Sequence, residues 1–358
     1  MRALVFRGPG DVAVTELPIP PLARDEVLAR VAYCGVCGTD IHLVYGEGGW
    51  GTPGSVYGHE WSGEVVATGG DVEKWRLGDR VVGGDRTCGA CEYCMSGRRS
   101  LCQNIALPSG PTFGAFAEYV KSHEDELYRV GEGLDLRAAA LAEPLAVALH
   151  GVNRSGITSD AGTGRTPRAL VTGGGPIGLL TVAVLRAKGI SDVVVSEPSP
   201  TRRRRVIQLG GVAVDPAELD TPAHYLATAP DPFDVVLECS GNSAASRQGL
   251  EQLRPGGRLV IVGVNFEPCT VDPLRVLVQE LEIAGSRQYD ADGLDGALKL
   301  LNSGAVPVGE ILDETDTDLA GFLPLLAAMK AGEVAGKPLV VSSAGSVSSA
   351  GSAATRDR

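Results

Sequence analysis

Aromatic side chains are scarce in this 358-residue sequence, at 5% of positions, and methionine occurs only three times. A core must therefore come from aliphatic residues, and Ala, Val, Leu and Gly are plentiful, a mixture that suits tightly packed strands and helices rather than a disordered chain. Basic residues are in deficit: 32 Lys and Arg against 44 Asp and Glu give a net charge of −12. A surface for phosphate backbones needs clustered Lys and Arg, so nucleic acid is not expected as a partner. No run of about 18 apolar residues occurs, and the first residues lack both a long apolar stretch and a cleavage site. Neither a membrane partner nor export is expected, and we read a cytoplasmic protein.

The length exceeds the roughly 250–300 residues at which one hydrophobic core stops growing, so two domains are expected. Up to about position 145, Gly and Pro interrupt the sequence every few residues, and short Val-rich runs at 27–31, 64–67 and 80–82 predict strands of an irregular β-rich domain. Beyond it, apolar runs at 169–172, 193–196, 234–238 and 258–263 alternate with helix-like segments at 178–188, 201–209 and 244–253. That alternation predicts an α/β domain with a parallel sheet and right-handed crossovers. We assign 1–145 to the first domain, 146–285 to the second, 286–341 to a return into the first, and 342–358 to a Ser/Ala/Gly tail too polar to order. The polar stretch 158–167 reads as a surface loop.

Eight cysteines in a secreted chain suggest disulfides, but here four fall within fifteen positions and no export signal precedes them. Cys88, Cys91, Cys94 and Cys102 follow C-x2-C-x2-C-x7-C, with Gly89 and Gly97 letting the backbone turn. Four thiolates at one point make a closed tetrahedral site, the mark of a structural zinc. A second group is mixed. Gly35-Val-Cys-Gly-Thr-Asp-Ile-His42 offers a thiolate, a hydroxyl and an imidazole, Gly58-His-Glu60 an imidazole and a carboxylate, and Glu143-Pro144 a further carboxylate. Cys37, His59 and one or both of Glu60 and Glu143 suit zinc with a position left open for water or substrate. Singly, each residue also reads as a buried thiol, a structural histidine or a helix-start carboxylate.

Cys37-Gly-Thr-Asp-Ile-His42, Gly58-His-Glu-Trp-Ser-Gly63, Gly78-Asp-Arg-Val81 and the four-cysteine loop together resemble the zinc-containing medium-chain alcohol dehydrogenases, in order from Met1 to about Val341. The resemblance implies an α/β fold of two domains: an irregular GroES-like catalytic domain and a Rossmann domain with a doubly wound parallel sheet. It also implies two zincs per chain, the catalytic one held by Cys37, His59 and Glu143, with Glu60 beside the metal and able to replace a ligand. Glu143-Pro144 resembles the branch acting on polyols and sugars (sorbitol, glucose, cyclitols) more than the ethanol-type branch, which carries cysteine there. The expected substrate is a small hydroxylated molecule: an acyclic polyol, an aldose, a cyclitol or a small diol.

Gly173-Gly-Gly-Pro-Ile-Gly178 is a G-x-G-x-x-G pattern after a predicted strand, and Glu197 follows it nineteen residues later. Gly173, Gly175 and Gly178 permit a tight turn and close approach of backbone N–H groups to a pyrophosphate, at the positive end of a helix opening at Pro176 and Ile177. Glu197 should bind the adenosine ribose and repel a 2′-phosphate, so NAD is preferred over NADP. Against that stands Arg202-Arg-Arg-Arg205, read either as a grip on a 2′-phosphate or as a solvated helix face with Arg202 beside the adenine. By resemblance the nicotinamide end lies near Val262 and Val264, with Ser286 and Arg287 approaching from the returning segment.

Thr39 is placed to take the substrate's hydroxyl proton, and in the family that proton passes by the cofactor ribose to a histidine matched here by His42. Trp50, Tyr57 and Phe113 are candidates for lining the substrate cleft, or plain core. Glu118 either holds a second substrate hydroxyl or is a salt-bridged edge carboxylate. Relatives are dimers or tetramers, so a homo-oligomer is expected. Two competing readings are an NAD(H)-sensing regulatory module without turnover and a zinc-free reductase; the complete set Cys37, Thr39, His42, His59, Glu60 and Glu143 argues against both.

Overall fold

Strands rich in Val and Leu without polar alternation belong in sheets covered on both faces, and Phe233–Glu238 is buried at every position. The structure, a computed structural model, describes residues 1–49, 51–84, 87–104, 114–159 and 164–342. Six strands form one sheet in the spatial order Val212–Val214, Asp192–Ser196, Arg168–Thr172, Phe233–Glu238, Leu253–Ile261 and Glu282–Gly285. Every neighbouring pair is parallel. Counted along the chain this is the doubly wound Rossmann order, reversing between Arg168–Thr172 and Phe233–Glu238.

The helices Pro176–Ala187, Pro200–Gln208 and Ser243–Glu251 stand close to where the apolar pattern predicts them. Their starts are set locally. Proline opens the first two, where its missing N–H costs nothing, and the Ser199 and Asn242 side chains accept N–H bonds from the first turns that follow. Two strands were not anticipated, Val212–Val214 and Glu282–Gly285, because both are sheet edges of only three and four residues, too short to show a pattern and never fully buried.

The first domain is built on a seven-stranded, largely antiparallel sheet. Its spatial path is Thr317–Asp318, Leu339–Val341, Glu26–Gly35, Glu60–Thr68, Arg80–Gly83 and Leu127–Arg129, with Tyr119–His123 paired to Glu26–Gly35 off that path. Leu339–Val341 lies antiparallel to Glu26–Gly35, so a late strand completes the sheet begun by an early one. Ser342, expected to start the polar tail, is instead buried, with its hydroxyl 3.4 Å from the Ala115 carbonyl. Positions 343–358 lie outside the described residues.

Between the sheets runs the helix Ala142–Ser155, which buries Ala142 to Ala146, Ala148, His150, Gly151, Val152 and Ser155. A helix apolar on nearly every side must be covered on every side. One continuous core joins Val82 and Val130 of the first domain, Leu141 and Leu145 of the seam, and Val171 and Leu179 of the parallel sheet. Leu145 has no exposed surface. Leu145→Ala is expected to cost about 2–5 kcal/mol, read as a lower midpoint in calorimetry; an unchanged midpoint would mean that this helix does not hold the two sheets together.

Candidate functional site

The strand Glu26–Gly35 runs straight into Cys37, which caps the N-terminus of the helix Gly38–Tyr45. The Asp40 carboxylate accepts the Cys37 N–H at 2.8 Å and so closes that helix end. Asp40 is almost fully buried, and burial pushes its carboxyl up to about 6, against the pull of His59 and the Cys37 N–H. From the facing strand, Gly58 (φ +99°) delivers His59 and Glu60; a Cβ there would meet the Phe116 backbone nitrogen at 2.7 Å and the Cys34 sulfur at 2.9 Å. The ligand atoms of Cys37, His59 and Glu60 all lie within 4.8 Å of one another.

Glu143 stands close by, buried in the first turn of the seam helix, but outside that mutually close group. It acts through its charge. Burial opposes a charged His59, yet the hydrogen bond and charge of Cys37, with Glu143 and Asp40 behind, hold its pKa well above the usual histidine range. A thiol, an imidazole and the carboxylates of Asp40, Glu60 and Glu143 offer more negative charge than one lysine balances, and a cation fits that donor set.

That lysine is Lys337, which nothing in its local sequence announces. Its Nζ lies 2.5 Å from both Glu60 carboxylate oxygens and donates to the Val36 carbonyl at 3.1 Å. Both side chains are nearly inaccessible, at 2% and 1%. Burial works against the ammonium, but Glu60, Cys37 and Glu143 keep its pKa above the ordinary lysine value.

Thr39 donates its hydroxyl to the Cys37 sulfur at 2.8 Å. His42 places Nδ1 2.6 Å from the Glu47 carboxylate, a partner the sequence reading missed. Tyr57 is core: its hydroxyl accepts the Thr52 N–H at 2.7 Å and its ring packs on Phe6. Glu118 is corrected away from substrate, because its oxygens accept the Arg2 backbone N–H at 2.8 Å and the Arg2 guanidinium at 3.1 Å. Trp50 and Phe113 lie outside the described residues.

Cys88, Cys91, Cys94 and Cys102 converge with all four sulfurs within 4.8 Å, as free thiols. The N–H groups of Ala90 and Cys91 draw the Cys88 thiol down to about 6, while burial, with Cys91 and Cys102 as hydrogen-bond partners, raises Cys94 to about 11. Four sulfurs this close suit a metal that makes them all thiolates. The lobe is tied to the returning segment by Ser100, whose N–H and hydroxyl donate to Asp290 at 3.2 and 2.8 Å.

At the reversal point of the parallel sheet, Gly173 (φ +95°) turns the chain out of Arg168–Thr172, and Gly175 and Pro176 start the next helix. A Cβ on Gly178 would stand 1.9 Å from the Gly173 carbonyl oxygen, so only glycine lets the helix sit on the turn. Ile177 follows on the half-buried first turn. The Glu197 carboxylate accepts the Gly174 N–H at 2.7 Å and the Ser199 N–H at 2.8 Å, fixing it beside the glycine turn.

Of the arginine run only Arg204 is exposed to solvent. Arg202 donates to the Val334 carbonyl at 2.9 Å, and Arg205 to those of Glu310 and Leu312 at 3.1 and 2.9 Å, so both join the helix to the returning segment. Arg203 pairs with Asp215 at 2.9 Å. Val262 and Ser286 are held by main-chain bonds to Glu238 and Ile261. Val264 and Arg287 are exposed. The Ser286 hydroxyl is buried without a hydrogen-bond partner, and such an atom calls for a ligand or water.

Two family models match, the alcohol dehydrogenase GroES-like domain over residues 23–132 and the zinc-binding dehydrogenase domain over 176–303. A sorbitol dehydrogenase of Halalkalibacterium halodurans is 34% identical over 84% of this chain and 88% of its own. The chain belongs to the zinc-dependent medium-chain alcohol dehydrogenases. Human sorbitol dehydrogenase is 32% identical over 80% of this medium-chain dehydrogenase and 81% of itself. An L-threonine 3-dehydrogenase of Bacillus subtilis is 35% identical over 80% and 82%. Among solved structures, a zinc-binding dehydrogenase of Sinorhizobium meliloti bound to NADP superimposes with a TM-score of 0.83 at 31% identity, covering 95% of this chain and 98% of that one. The protein is thus an oxidoreductase, and its relatives do not support the regulatory reading. In this medium-chain dehydrogenase Gly178→Ala is expected to weaken dinucleotide binding at least roughly tenfold, about 1.4 kcal/mol, in NADH fluorescence titrations; unchanged affinity would detach the glycine turn from the cofactor.

Proposed function

We propose that the protein oxidises a secondary hydroxyl of a polyol, sugar or cyclitol, with NAD preferred over NADP and two zincs per chain. The observation that carries this reading is the convergence of the half-buried Cys37 and His59 with the buried Glu60, with Glu143 adding its charge. When bound there, the metal supplies Lewis acidity to a substrate hydroxyl, and the dinucleotide supplies the hydride acceptor. Cys37, His59 and a carboxylate from Glu60 or Glu143 are the proposed holders of the catalytic metal, and Cys88, Cys91, Cys94 and Cys102 of the structural one. Thr39 takes the hydroxyl proton and His42 releases it to solvent. Lys337 pairs with the buried Glu60 carboxylate and fixes it.

Gly173, Gly175, Pro176, Ile177 and Gly178 receive the pyrophosphate, Glu197 the adenosine ribose, and Val262, Val264, Ser286 and Arg287 the nicotinamide side. The anchoring of Arg202 and Arg205 on the returning segment, and of Arg203 on the Glu197 and Pro198 carbonyls and on Asp215, favours NAD, since those guanidinium groups are already occupied. The catalytic domain in this reading is 1–145 completed by 286–341, and the cofactor domain is 146–285. A homodimer or homotetramer is supported by the open sheet edge Glu282–Gly285 and the exposed Leu274, Leu277 and Ile283 beside it. A cytoplasmic site suits eight reduced cysteines.

Metal analysis together with nicotinamide absorbance across polyols, aldoses, cyclitols, diols and L-threonine tests the reading. About two zincs per chain are expected, about one in Cys37→Ser, with turnover in that variant down at least roughly 1,000-fold. One zinc in the native protein and no turnover would overturn it, and faster reduction of NADP would overturn the role given to Glu197.

A further inference from the structure

Residues five apart on an unbroken helix point about 140° away from each other, so His42 and Glu47 meet only because the helix stops between them. Gly46, in the left-handed conformation at φ +77°, ends it and turns the chain back. His42 Nδ1 then lies 2.6 Å from a Glu47 carboxylate oxygen. Two other parts of the molecule close on the same pair. From the helix Phe322–Lys330, Lys330 comes 3.4 Å from Glu47 and stands over the Tyr45 ring at 4.1 Å. From the loop after the strand Leu253–Ile261, on the cofactor domain, Phe266 packs edge-on against the His42 ring, 5.0 Å between centroids. Gly48 (φ +71°) makes room for it, since a Cβ there would come 2.4 Å from the Phe266 ring.

We propose that Glu47 is a positioning residue for the proton relay: its carboxylate holds His42 as the tautomer protonated on Nδ1, leaving the Nε2 lone pair free to receive the proton that leaves the substrate. This rests on the relay role given to His42 above. An ionised carboxylate only accepts, so a neutral His42 at this distance carries its proton on Nδ1. Glu47 remains ionised: the hydrogen bond from His42, against a small opposing effect of burial and with help from Lys330, keeps its carboxyl below the usual range. One proton arrives at Nε2, the imidazolium forms facing a negative charge, and the same proton leaves to water while Glu47 keeps its charge. The pair sits where that exit is open, with the His42 side chain 22% and the Glu47 side chain 41% exposed. The charged groups around His42 are Glu47 and, behind it, Lys330, while the cofactor domain presents the uncharged Phe266 ring. A surface ion pair alone adds little to stability, and the alternative is a plain tether between the turn and the helix Phe322–Lys330.

Long-range proton–nitrogen spectra of the zinc-loaded full chain labelled on its five histidines distinguish the two. The His42 signal is assigned by its loss in His42→Gln. At about pH 9, where histidine is neutral, Nδ1 is expected to be the protonated nitrogen in the native protein and in Glu47→Gln, which keeps an acceptor, but not in Glu47→Ala. With the best substrate of the panel above, Glu47→Ala should lower kcat roughly tenfold near neutral pH with KM little changed, and should add nothing in a His42→Gln background. Glu47→Gln should recover much of the loss, and Lys330→Met should behave as the native enzyme. A native His42 protonated on Nε2 overturns the proposal, as does a Lys330→Met variant that reproduces Glu47→Ala. If His42→Gln slows turnover and Glu47→Ala does not, Glu47 alone loses its role. If His42→Gln changes neither kcat nor its pH profile, the relay and this inference fall together.

Discussion

The Lys337 ammonium touches both oxygens of Glu60 where neither side chain meets water, and the pair forms only if the chain, having built its parallel sheet, comes back to the first domain. Removing one partner of such a pair typically costs about 3–5 kcal/mol, because the other charge is left buried and alone. The constraint is topological as well as energetic. Leu339–Val341 lies beside the strand that delivers Cys37, and Lys337 donates to the carbonyl of Val36, the residue just before Cys37. The cluster of Cys37, His59 and Glu60 is therefore finished by a residue that follows the whole parallel sheet.

What was legible in the sequence was whatever is held by neighbours along the chain. The four-cysteine loop is read from spacing because its bends and its sulfurs lie within one short segment. The glycine turn is legible for the same reason: Gly173 and Gly178 press on each other across five positions. The parallel sheet showed in its buried strands and vanished at its edges, where Val212–Val214 and Glu282–Gly285 are short and only partly covered.

Partners brought from far away were not legible. Glu118 has the same side chain whether it meets a substrate or Arg2, and only the fold decides for Arg2. The arginine run looked like a solvated face since the acceptors of Arg202, Arg203 and Arg205 are main-chain carbonyls and an aspartate, which no sequence pattern marks. Lys337 lacks any motif and is defined by what it faces; Glu47, though only five positions from His42, went unread because the pair forms only through the break at Gly46. Of the residues proposed to hold the catalytic metal, Cys37, His59 and Glu60 stand in one close group, and Glu143 stands outside it.

The joint made by Arg202 and Arg205 has a one-sided grammar. Its donors are two particular guanidinium groups, while its acceptors are the main-chain oxygens of Val334, Glu310 and Leu312, and every amino acid presents the same oxygen. Those hydrogen bonds therefore make no demand on the side chains at 310 and 334, while Leu312 is held separately by its place in the core. The whole burden of specificity in that contact rests on one helix.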